Sequence, residues 1–130
     1  MKTHFFFTDW IYNQDYLVVL ATSNAAFRKV VKKEINLELP EADQASGQFH
    51  GYENNDSRLG IIWSKDMGET LIHECLHATA WTLNSRGICC DSQSGEEAWA
   101  YYITFLVKYI KANVKNNKKE LKQKKEVKDV

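Results

Sequence analysis

Cysteine is scarce in this chain of 130 residues. There are three, an odd number, and that excludes the fully paired disulfide framework of small secreted modules. Long apolar runs are also missing. The longest uncharged stretch, Ala98–Val107, covers ten residues between Glu97 and Lys108, where a membrane span needs about 20. The amino-terminal residues Met1–Phe7 hold one early lysine and only three consecutive apolar residues before Thr8 and Asp9, which is no signal-peptide pattern. A cytoplasmic protein is expected. There is one proline, Pro40, and no internal repeat. A hydrophobic fraction of 44% with 26% charged residues excludes collagen, fibrous coiled coil and disorder for most of the chain. The length suits one domain.

The net charge of zero conceals two halves. Residues 1–110 carry 9 Lys+Arg against 14 Asp+Glu, and residues 111–130 carry 8 Lys against 3 acids. An acidic body, residues 1–110, therefore bears a basic tail, residues 111–130. The tail has few apolar residues, so a frayed helix or a flexible segment is expected. The body has no basic patch, so nucleic acid is not an expected partner, and no membrane is implied.

Phe5–Phe7 and Tyr16–Leu20 read as strands around the turn-like Asn13–Gln14–Asp15. A helix is expected over Ala25–Ile35, with Ala26, Phe27, Val30 and Val31 on its apolar stripe and Ser23 or Asn24 as cap. Gly47–Glu53 alternates weakly, Asn54–Ser57 reads as a turn, and Leu59–Trp63 reads as a strand. Two helices follow, Asp66–Asn84 and Gly95–Lys111, joined by a short loop that makes them antiparallel neighbours. The expected fold is α+β: a small antiparallel or mixed sheet with one packed helix, then two long antiparallel helices.

The first of those two helices carries His73–Glu74–Cys75–Leu76–His77. Residues four apart lie about 40° apart around a helix, so both imidazoles point one way and can share one zinc ion. Glu74 is offset by about 100° from His73. It sits beside the ion, where it can act as general base toward a water that the metal polarises. Ile72, Cys75, Leu76, Thr79 and Leu83 would pack into the core on the opposite face. A catalytic zinc needs a third protein ligand, and Asp91, Glu96 and Glu97 are the downstream candidates. Glu97 is preferred because it shares a face with Ala100, Tyr101 and Thr104, read here as inward. Its structural alternative is a capping box, Ser94-x-x-Glu97. Cys75 reads as a core thiol, Cys89 and Cys90 as loop thiols, and of the tryptophans only Trp63 and Trp81 are expected near a cleft.

This order resembles the gluzincin metallopeptidases: His73-Glu74-x-x-His77, a short loop, then Glu97 opening a second helix within Glu96–Glu97–Ala98–Trp99–Ala100–Tyr101. It is also similar to small single-domain phage and bacterial HExxH proteins and to minigluzincins. The resemblance covers about Leu59–Ile110. It implies a zincin-like catalytic domain in which His73, His77 and Glu97 hold Zn2+ and Glu74 is the base. It further implies a peptide or protein substrate paired along an edge strand, Leu59–Trp63. Two departures stand out. Glu96 replaces the asparagine that precedes the family's ligand, and no downstream domain supplies the family's oxyanion-stabilising Tyr or His. His50, Tyr52, Tyr101 and Tyr102 are the substitutes on offer. The resulting expectation is a zinc-dependent hydrolase, most simply a metallopeptidase. The alternative is a non-catalytic zinc-stabilised module that binds a peptide or protein. A tail folded across the cleft as an autoinhibitor is a third arrangement.

Overall fold

A computed structural model of the protein describes residues 3–128, with side chains through residue 114. In chain order the elements are β1 (Thr3–Thr8), β2 (Asp15–Leu20), α1 (Asn24–Ile35), β3 (Gly47–Glu53), β4 (Arg58–Ser64), α2 (Glu69–Asn84) and α3 (Gln93–Lys128). The fold is α+β. One four-stranded sheet has the order β1-β2-β4-β3. Its outer pairs are antiparallel, and the central β2–β4 pair is parallel, reached by the crossover that contains α1.

The period of two along the strands divides the core into two layers. Leu17, Val19, Ile61 and Trp63 pack with Phe27, Val30 and Val31 of α1. Tyr16, Val18 and Ile62 pack with Leu71, Cys75 and Ala78 of α2 and Tyr102, Leu106 and Ile110 of α3. A strand covered on both faces has no polar side to show, which is why Tyr16–Leu20 reads as one apolar run. The same rule corrects the expected position of Leu59–Trp63. That segment lies between β2 and β3 and is buried from Gly60 onward, so it is not an edge. The weakly alternating Gly47–Glu53 is the edge on that side.

Helix boundaries follow local chemistry. Ser23 caps α1 through its Oγ, which accepts from the Ala26 N–H. Asn36, at φ 54°, ends it in the left-handed conformation that Asn tolerates. Ser92 opens α3, its Oγ accepting from the Gly95 N–H at 2.9 Å. Ser94 therefore lies inside the helix, and the alternative for Glu97, a Ser94–Glu97 capping box, is not formed. Nor does α3 stop near Lys111: the backbone is helical through Lys128, because residues 111–128 contain no glycine or proline to end it. The side chains of the expected basic tail beyond Val114, and residues 129–130, lie outside the described residues. Among the described residues, no helix is long and apolar enough to cross a membrane.

A buried polar tie fixes the helical layer to the β1–β2 hairpin. Asp9 accepts from the N–H groups of Ile11, Tyr12 and Gln14. It also accepts from the Tyr102 hydroxyl at 2.9 Å. The Tyr102 and Tyr16 hydroxyls are hydrogen-bonded at 2.6 Å, and Tyr16 reaches the Thr82 hydroxyl. Arg86 donates to the Tyr12 carbonyl at 2.9 Å. Burial pushes the Tyr16 phenol up to about 12 and drives Tyr102 higher still. It also pushes the Cys75 thiol up to about 12, from an ordinary value of 9.0.

These shifts set the alkaline limit of stability. As pH rises past about 9, the unfolded chain releases the Cys75 and then the Tyr16 proton while the native state keeps both. The unfolded state then binds fewer protons, so stability falls between about pH 9 and pH 12. The urea midpoint should decline from pH 8.5 to 11 (on the order of these unfolded-state values), and Cys75→Ala should flatten the first part of that decline. A midpoint flat across the range contradicts the assignment.

Candidate metal centre

Helix α2 has two unlike faces. Leu71, Cys75, Ala78 and Thr82 are buried against the sheet and α3. His73 and His77 are exposed on the other side. Ile72 and Leu76, expected in the core, are 46% and 45% exposed and flank the histidines. The buried stripe is centred on Leu71–Cys75–Ala78, which turns these two residues outward. Glu74 lies between the two faces. It is 5% exposed and tucked beneath the free edge of β3.

That placement depends on small residues. Gly47, Phe49 and Gly51 alternate along β3 toward α2. A Cβ on Gly47 would stand 2.7 Å from the Thr70 methyl and 3.0 Å from Cγ of Glu74. A Cβ on Gly51 would overlap the indole of Trp81. With hydrogen at both positions, the helix approaches the edge strand closely.

The two Nε2 atoms of His73 and His77 are 3.2 Å apart. Two nitrogens bound to one tetrahedral zinc at about 2.0–2.1 Å stand about 3.3 Å from each other, so the pair fits a single ion as it stands. An oxygen of Glu74 lies within 4.8 Å of both. Among the described residues, this is the one group of three His, Cys, Asp or Glu side chains that converges so closely. Desolvation raises the Glu74 carboxyl above its ordinary range, and the neighbouring His73 and His77 act in the opposite sense.

Glu97 does not join this group. It does share a face of α3 with Ala100, Tyr101 and Thr104, but that face is the solvent side, and Tyr101 is 74% exposed. The inward stripe is Tyr102, Leu106, Ile110 and Val114. The long apolar stretch 98–107 masked the difference, because nearly every face of it reads as buried. Glu96 and Asp91 are likewise exposed.

Of the four substitutes for an oxyanion donor, only His50 borders the groove, and its ring is turned toward α1. His50 stacks on Phe27, on the α1 side of the sheet, and burial lowers its pKa. Tyr52 packs in that same layer. Tyr101 faces solvent, and Tyr102 is engaged with Asp9 and Tyr16. Trp63 is a core residue, its indole N–H donating to the Ala21 carbonyl, so it is not at the cleft. Trp81 does line the cleft. Trp10 is away from the cleft and 72% exposed, its ring edge-on to Phe105. All three cysteines are free: Cys75 is buried, and Cys89 and Cys90 are exposed.

A groove runs between the β3 edge and α2. Its main part, about 530 Å³, lies along Gly47–His50 and passes His73, Glu74, His77 and Trp81. Sequence reasoning missed β3 as its wall, although the Gly47-x-Phe49-x-Gly51 alternation was there to read. Comparisons with protein-family models, with curated proteins and with solved structures find no match.

Gly47→Ala tests the packing that seats Glu74. The added methyl meets Thr70, the Trp63 carbonyl and Glu74 together. It should cost about 1–3 kcal/mol by overpacking and weaken zinc binding, read by thermal melts with and without the ion. Unchanged stability and affinity would show that the approach is looser than described.

Proposed function

We propose that the protein is a zinc-dependent hydrolase acting on peptide bonds, with His73 and His77 as metal ligands and Glu74 as general base. The observation that carries this reading is the 3.2 Å separation of the two Nε2 atoms with a buried carboxylate at their side. When bound, zinc would polarise the scissile carbonyl and acidify water. The chain's own residues supply the rest. The β3 edge offers unpaired backbone groups to an extended peptide, which would add as a further strand. Glu74 takes the proton of the attacking water and returns it to the leaving amine. Its desolvated setting suits this role, since a base of raised pKa holds the proton more firmly.

Glu97 stands on the solvent face of α3, outside the cluster, so this reading takes its metal ligands from α2 and does not use Glu97. Zinc affinity of Glu97→Ala and Glu96→Ala tests that placement. Equal, unchanged affinity in both is expected, and a loss of tenfold or more in the first (about 1.4 kcal/mol) would contradict it.

A second reading, a non-catalytic zinc-stabilised peptide-binding module, is favoured by one observation: among the described residues no tyrosine lines the groove at the metal pair, and the His50 ring at its border stacks on Phe27 instead. Peptide turnover by zinc-loaded wild-type protein and by Glu74→Gln separates the two readings. The hydrolase reading expects a loss of at least about 100-fold, the usual scale for a general base. Identical traces would leave the module.

A further inference from the structure

The groove is unlike at its two ends. Toward the amino-terminal end of α2 it is walled by Ser46, Glu69 and Thr70. Toward the carboxyl-terminal end it is walled by Phe49 and Trp81. The two stretches meet at Gly47, His73 and Glu74, so the metal pair stands between a polar length and an aromatic one.

The aromatic length is held in place from several directions. Trp81 follows His77 by one turn on the same flank of α2. Its indole lies across Gly51 and Gly60, which are paired between β3 and β4. A Cβ on Gly60 would stand 3.2 Å from Cζ3 of the indole, and one on Gly51 would overlap it. The Arg58 guanidinium stacks on the ring, 3.6 Å from its centroid, and donates through Nη2 to the Trp81 carbonyl at 2.9 Å. Phe49 meets the indole edge-on, with centroids 5.5 Å apart. Both rings remain partly exposed. A rigid apolar wall gains contact with a ligand without first ordering itself.

We propose that Phe49 and Trp81 form a subsite for an apolar side chain of leucine or phenylalanine size on an extended peptide lying along β3. Arg58 is a positioning residue that holds Trp81 in that wall. The inference rests on the peptide reading above and adds the selectivity of one end of the groove. The opposite end is lined by Ser46, Thr70 and Glu69, with no phenylalanine, tyrosine or tryptophan among its walls.

The test uses hexapeptides in which each position in turn is Phe, Leu, Ala, Asp or Lys, titrated into zinc-loaded Glu74→Gln protein. Binding is read from the Trp81 indole N–H resonance. One position should favour Phe or Leu over Asp by about tenfold or more, the scale of hydrophobic-pocket discrimination, and the indole resonance should move with it. Arg58→Lys keeps the charge but loses the planar stack and the fork to the carbonyl. It should reduce that preference several-fold and leave preferences at the other positions alone. Phe49→Ser makes the same comparison should Arg58→Lys not fold. No apolar preference at any position, or a preference that leaves the indole resonance unmoved, overturns the subsite. Apolar preference without turnover by wild-type protein defeats the hydrolase reading and keeps the subsite. Turnover without the preference does the reverse.

Discussion

The close approach of α2 to the free edge of β3 is the contact on which the candidate site depends. Two glycines on one face of the strand allow it, Gly47 against Glu74 and Thr70, and Gly51 against Trp81. The approach separates the motif into two environments. His73 and His77 remain exposed above the strand, while Glu74 is drawn beneath it and desolvated. A helix standing farther from the sheet would leave all three residues in water. A metal could then still bind, but the carboxylate would lose the setting that raises its pKa.

The helix is held there from behind. Asp9, in the β1–β2 turn, bonds Tyr102 of α3, and Tyr16 of β2 bonds both Tyr102 and Thr82 of α2. One chain of hydroxyls and a carboxylate thereby joins the sheet to both helices. Such buried groups are costly when unpaired, and among the described residues no buried side-chain polar atom lacks a partner. The tie lies toward the carboxyl-terminal end of α2, near Thr82, while the histidines occupy the exposed middle. Rigidity on one side and access on the other are what a binding groove needs.

The sequence disclosed the fold where its periodicity was unambiguous. The α1 stripe, the strand identities and the pair of long helices could all be read from the spacing of apolar residues. It also disclosed the motif, because a four-residue spacing dictates one face whatever surrounds it. Tertiary placement was harder to read. Leu59–Trp63 could be taken for an edge strand because pairing order is not written in any one segment, although its lack of alternation is the mark of a doubly covered strand. Glu97 could be placed on an inward face because residues 98–107 are apolar nearly all round, which removes the contrast that fixes a helix's orientation. Ile72 and Leu76 could be assigned to the core because apolar residues are expected inside, a rule that holds only in one direction. The groove wall was hidden in glycines, whose role is to leave space.

Zinc titration followed on the histidine ring resonances tests the central claim most directly. One ion per chain should bind, with the His73 and His77 signals shifting together, and either His73→Ala or His77→Ala should weaken binding by about 100-fold or more (on the order of 2.7 kcal/mol). Stoichiometric zinc binding that persists in the double variant, or that moves the His4 and His50 signals instead, would contradict it.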